Sequence, residues 1–111
     1  MSNIPEYSVS EISTNIKNSL ETQFNRVKIK GEISGLTRAN SGHFYFSLKD
    51  EEAILSSIIW RGTANFIEIM PEEGLEVVAL GKISTYMPRS NYNFIVENIS
   101  FAGEGALLKL I

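Results

Sequence analysis

The chain contains no cysteine among its 111 residues. That removes a disulfide framework, a thiolate metal site and a cysteine nucleophile. It also lacks any apolar run near the roughly 20 residues that span a bilayer. Met1-Ser2-Asn3-Ile4-Pro5-Glu6 has neither the basic nor the apolar region of a signal peptide, so the simplest reading is a cytoplasmic protein with no membrane contact. Histidine is scarce too. His43 has no second histidine with which to share a metal, and no Gly-rich phosphate loop of the Walker or dinucleotide type is present. These absences leave a stand-alone enzyme little to work with, and no cofactor or metal site is expected. Carboxylates are clustered at Asp50-Glu51-Glu52 and at Glu72-Glu73, where they read as solvated turns.

Basic residues are few as well. Ten Lys/Arg against thirteen Asp/Glu give a net charge of −3, which argues against a generic basic nucleic-acid binder. The charge is uneven, however. Residues 26–61 carry six Lys/Arg and four Asp/Glu, while residues 62–81 carry four Glu and no Lys/Arg.

What is present is hydrophobic periodicity. Tyr7 to about Phe24 reads as a helix, opened by the capping box Ser8-x-x-Glu11, with Val9, Ile12, Ile16 and Leu20 as one apolar stripe. The rest alternates with period two. Arg26–Ser34 is a first strand in which Val27, Ile29 and Ile33 face one way and Gly31 permits a bend. Gly35–Gly42 reads as a loop. Phe44, Phe46 and Leu48 alternate with His43, Tyr45, Ser47 and Lys49 in a second strand. Ala53–Arg61 is a third, with Ala53, Leu55, Ser57 and Ile59 inward and Ile54, Ser56, Ile58 and Trp60 outward. Gly62–Met70 reads as a short helix ended by Pro71, with Phe66, Ile67 and Met70 on its buried side. Leu75–Tyr86 and Tyr92–Phe101 are strands four and five, joined by Met87-Pro88-Arg89-Ser90-Asn91. After the break Ala102-Gly103-Glu104-Gly105, residues 106–111 begin an apolar, helix-prone segment, as if cut from a larger protein. Three strands, a short helix and two strands, after an added N-terminal helix, make a mostly β chain on the plan of a five-stranded OB-fold barrel. The expected parts are a helical extension over 1–25 packed on the barrel, the barrel over 26–102 and the start of a linker over 103–111.

An OB-fold binds oligomers on the face of strands two and three, between the loops joining strands one and two and strands four and five. Tyr45, Lys49 and Trp60 fall on that face, with Arg61 next to it. Arg38 lies in the first loop and Arg89 in the second, which Tyr86 and Tyr92 border. Aromatic rings accept base faces, and Arg and Lys attract phosphates. The competing structural reading packs Tyr45 and Trp60 against the N-terminal helix and leaves Lys28, Lys30 and Lys82 as solvated strand charges. On the residues alone the ligand stays open between single-stranded DNA, tRNA and a protein surface.

Six blocks narrow this choice. Tyr7-Ser8-Val9-Ser10-Glu11-Ile12, Ile29-Lys30-Gly31-Glu32-Ile33-Ser34 and Ser41-Gly42-His43-Phe44-Tyr45-Phe46-Ser47-Leu48-Lys49-Asp50 are followed by Trp60-Arg61, Tyr86-Met87-Pro88-Arg89-Ser90-Asn91-Tyr92 and Ala102-Gly103-Glu104-Gly105. In this order they resemble the N-terminal domain of the exodeoxyribonuclease VII large subunit. The resemblance implies an OB-fold that engages single-stranded DNA, within an enzyme that degrades single-stranded DNA from either end to oligonucleotides. It implies a small subunit as partner, through parts outside this chain, and nuclease chemistry in a region this chain lacks. Where that family often has glycine, this chain has Ser90, which disfavours a tight glycine turn.

Overall fold

The computed structural model describes residues 3–102. The expectations for 103–111 fall outside the described residues. Helix α1 runs Val9–Gln23. Ser8 Oγ accepts from the Glu11 N–H at 3.0 Å and Glu11 Oε1 accepts from the Ser8 N–H at 2.7 Å, so the capping box is closed. Five strands follow: β1 Val27–Arg38, β2 Phe44–Lys49, β3 Ile54–Ile59, β4 Glu76–Tyr86 and β5 Asn91–Phe101. A short helix, α2 Arg61–Ala64, lies between β3 and β4, and a 3₁₀ turn Met87–Arg89 lies between β4 and β5. The strands close into a barrel in the order β1-β2-β3-β5-β4.

Closure depends on β1 serving two partners. Its first half pairs with β4, from Val27↔Gly81 to Glu32↔Glu76, and its second half pairs with β2, starting at Glu32↔Lys49. The changeover falls at Gly31. A Cβ there would sit 3.2 Å from the Lys49 carbonyl oxygen, so a bare backbone lets β1 bend over β2. Gly81 answers it on β4, at a register shift between Leu80 and Gly81 where β5 crosses close. The expected alternation places the core correctly: Ile33, Phe44, Phe46, Leu48, Ile59, Val77, Ala79, Ile83, Phe94, Val96 and Ile99 are buried in one cluster.

Four expectations are corrected. First, β1 continues to Arg38; a bulge between Ser34 and Thr37 disguises its end as a Gly-containing loop. The carboxylate of Glu73 holds that bulge, accepting from the Leu36 N–H at 2.9 Å and the Gly35 N–H at 3.0 Å. Second, the helix expected over Gly62–Met70 stops at Ala64, and Phe66 and Met70 are exposed. Only Ala64 enters the core, with Ile67 and Ile69 against its margin, because the chain leaves the helix in turns and bends before β4. Third, Ile58 is buried although it points away from the barrel interior. Fourth, the α1 stripe is covered only at Leu20. Val9 is 80 % exposed and Ile16 50 %, because the middle of the helix meets the polar 3₁₀ turn through Ser13 and Thr14 and only Leu20 packs against the core cluster.

The two backbone N–H groups from Leu36 and Gly35 hold the Glu73 carboxyl below the usual carboxylate range. A depressed folded-state pKa adds stability that is present above the unfolded value and lost as pH falls through the folded value. Glu73→Ala should therefore lower the melting temperature near neutrality. It should also flatten the loss of stability between about pH 6 and about pH 3, the span that covers ordinary carboxylate titration. Thermal melts across that range check this; parallel wild-type and variant curves would contradict it.

Candidate nucleic-acid interface

The outward face is built from alternate residues of three strands. Tyr45 of β2 pairs with Ile58 of β3, and Ile58 pairs in parallel with Ile95 of β5. The β3–β5 ladder is only two residue pairs long, Ser57↔Phe94 and Ile58↔Ile95, and a cleft of about 320 Å³ opens beside it. Ile58 and Ile95 line it with Tyr45, Trp60, Ser56 and Asn93. Tyr45 and Trp60 are 43 % and 44 % exposed, so each has one face available. Helix α1 does not cover them; it packs on β4 and on the 3₁₀ turn.

The residues around Trp60 are fixed by the β1–β2 loop. The Ala39 N–H donates to the His43 carbonyl and the Gly42 N–H to the Ala39 carbonyl, each at 2.8 Å. Gly42 takes φ +98°, and a Cβ there would meet the Arg61 side chain at 3.0 Å. His43 Nδ1 accepts from the Arg61 N–H at 2.8 Å, so in the neutral ring the proton sits on Nε2. The His43 ring stands edge-on to Trp60 at 5.0 Å and to Tyr45 at 6.4 Å. Loop, aromatic platform and the start of α2 thus form one connected unit. His43, which composition alone leaves without a role, is its joint. Arg38 closes the same end, its guanidinium 5.0 Å over the Phe44 ring.

The other candidates lie elsewhere. Lys49 is at the far end of β2, 3.9 Å from Glu32. It borders a cleft of about 700 Å³ lined by Glu32, Asp50, Glu51, Glu52 and Glu76 against Lys30 and Lys49, a surface that repels phosphate. Tyr86, Arg89 and Tyr92 gather around the 3₁₀ turn. Tyr92 shares the inward parity of Phe94 and opens at the barrel end, where it borders Ile16 and Leu20 on one side and shares a cleft of about 250 Å³ with Lys49, Leu48 and Leu55 on the other. Helix α1 buttresses this turn: Ser13 Oγ lies 2.9 Å from Ser90 Oγ, and Thr14 Oγ1 donates to Met87 Sδ at 3.2 Å. Ser90 adopts the left-handed conformation, φ 51° and ψ 39°, that a glycine would adopt more easily. In the parallel β3–β5 register Trp60 falls about five residues beyond Tyr92, roughly 17 Å along the strand. The aromatic and basic groups therefore form two stations flanking one face. Among the described residues, no three His, Asp or Glu side chains gather as a metal site.

A closed five-stranded barrel with a helix between strands three and four, and an outer face between two loops, defines an OB-fold. The model of the OB-fold nucleic acid binding domain matches residues 7–100, and the chain belongs to that family. It is 47 % identical over 98 % of its length to the exodeoxyribonuclease 7 large subunit of Zymomonas mobilis, and 47 % identical over its full length to that of Agrobacterium fabrum. It spans only about a fifth of those relatives, 20 % and 21 % of their lengths. Among solved structures, asparaginyl-tRNA synthetase from Pyrococcus horikoshii shares the fold, with a TM-score of 0.56 at 11 % identity over 78 % of this chain and 21 % of that one. No helix among the described residues is long and apolar enough to cross a membrane.

Proposed function

We propose that this chain binds single-stranded DNA as the OB-fold module of an exodeoxyribonuclease VII large subunit. It lays the strand across the β2–β3 face and supplies it to nuclease chemistry carried elsewhere in the parent protein. The observation that carries this reading is the part-exposed platform of Tyr45 and Trp60 over a cleft with no carboxylate in its lining, with Arg61 next to Trp60 in the chain and Arg38 over the Phe44 ring at the same end of β2. Half-exposed rings stack on bases without regard to sequence, and the guanidinium groups attract phosphate and displace counterions. The station at Tyr86, Arg89 and Tyr92 takes the strand as it leaves the face. Lys49, beside Glu32 and at the rim of the acidic cleft, adds little to binding. The parent enzyme would act in the cytoplasm, degrading single-stranded DNA to oligonucleotides, and would engage its small subunit through segments outside this chain.

Trp60 is the only tryptophan, so its fluorescence reports on the site directly. Titration with single-stranded DNA should quench it, with weaker binding at higher salt and little response to duplex. A single-stranded RNA of the same sequence serves as the competing ligand. Tighter binding of RNA would turn the reading toward a tRNA-type module. An intact fold with no response to any nucleic acid would favour a protein-docking role.

A further inference from the structure

The cleft beside the β3–β5 ladder has more structure than a stacking surface needs. Its floor is Ile58, 7 % exposed yet outside the core cluster, with Ile95 next to it. Tyr45, Phe46 and Trp60 line it with the polar residues Ser56, Ser57 and Asn93. Asn93 is half-buried, and neither its side chain nor that of Ser56 has a hydrogen-bond partner among the described residues. At about 320 Å³ the cleft lies at the lower end of small-ligand sites, room for one planar heterocycle and too little for an extended segment.

We infer that this cleft takes a single unstacked nucleobase and that Asn93 is its specificity-determining residue, an inference that rests on the proposed binding of single-stranded DNA. The occupant follows from the lining. A flat, apolar-faced group with a polar rim matches a lining of three aromatic rings, two isoleucines and three polar side chains. Charge points the same way: Arg61 and Arg38 flank this end of the barrel, while the acidic cleft lies at the other end of β2. A carboxamide offers one acceptor beside one donor in a plane, the pattern that pairs bidentately with a base edge. An orientation fixed on a strand fits some base edges better than others, so one nucleotide in the bound strand is read while its neighbours are stacked indifferently.

The test compares labelled oligomers of dA, dC and dT by fluorescence anisotropy at one salt concentration, with wild type, Asn93→Ala and Asn93→Val. The valine variant suits a strand and guards against misfolding, which thermal melts monitor. In the wild type the three affinities should differ by about tenfold or more, the scale of one bidentate base contact. In both variants they should converge, with the salt dependence unchanged because no phosphate contact is lost. Equal wild-type affinities, or a spread that survives both substitutions, would overturn the base pocket and leave the binding proposal standing. Failure of the wild type to bind any of the oligomers would overturn both.

Discussion

Gly81→Ala is expected to destabilise the barrel by about 3 kcal/mol or more. Gly81 is buried on β4 where β5 crosses, and an added Cβ would run into the Ile95 carbonyl group and within 3.0 Å of the Phe94 ring. The Phe94 ring could turn, but the Ile95 carbonyl is main chain in the neighbouring strand and cannot rotate away. Relief requires β4 and β5 to separate, and these strands form the longest ladder in the molecule, from Val77↔Phe101 to Tyr86↔Asn91. Overpacking against side chains typically costs about 1–3 kcal/mol, and an unyielding backbone puts this case at or above about 3 kcal/mol. In a domain of this size that is a fall in melting temperature of roughly 12–24 °C. The glycine's φ is not the reason, since Gly81 is absent from the positive-φ residues; the close approach is. Circular dichroism melts decide the point, and a shift below about 5 °C would show that the strands do not meet so tightly. Gly62→Ala, with nothing within 4 Å of the added carbon, is the matched control and should melt close to wild type.

Trp60→Ala is expected to give the largest loss of DNA affinity of any single substitution. Stacking of one base is worth about 1–3 kcal/mol by truncation, a loss of roughly 5- to 150-fold. The indole also walls the cleft over Ile58 and meets the His43 ring, so its removal disturbs a base and the loop together. Tyr92→Ala should cost less, because Tyr92 opens at the barrel end beside Ile16 and Leu20 and away from the central face. Fluorescence anisotropy of a labelled oligomer measures both. A Trp60→Ala protein that is folded and binds as wild type would remove the platform from the mechanism, and a larger loss for Tyr92→Ala would shift the centre of binding to the 3₁₀ turn.

The sequence shows the barrel because its signals are local and agree with one another. Phe44, Phe46 and Leu48 alternate cleanly, Ser8 and Glu11 cap a helix, and Gly31 and Gly81 mark the bends. What it hides depends on partners distant in the chain. The second half of β1 looks like a loop until Glu73, 37 residues from Leu36, is seen to satisfy the bulge. Ile58 has the parity of a surface residue and is buried only because β5 returns in parallel beside it. The aromatic members of the candidate site, Tyr45 and Trp60, can be proposed from composition and alternation. Asn93 is not, because an asparagine in a strand carries no ligand signal until the cleft forms around it. Gly62–Met70 misled for the opposite reason: Phe66, Ile67 and Met70 have helical spacing, but the chain turns away after Ala64 and leaves Phe66 and Met70 exposed.

The shared strand β1 has a consequence for biosynthesis. As the chain emerges, β1, β2 and β3 can pair at once by local hairpins, yet the first half of β1 and the outer side of β3 remain unpaired edges until β4 and β5 exist. Those edges, from Val27 to Glu32 and around Ser57 and Ile58, are the kind of open template to which another chain adds. The last quarter of the described chain therefore decides whether the first half stays soluble, and release before β5 is complete would yield a sticky three- or four-stranded sheet. Closure rests on pairings between distant segments, β1 with β4 and β3 with β5, the kind that form slowly.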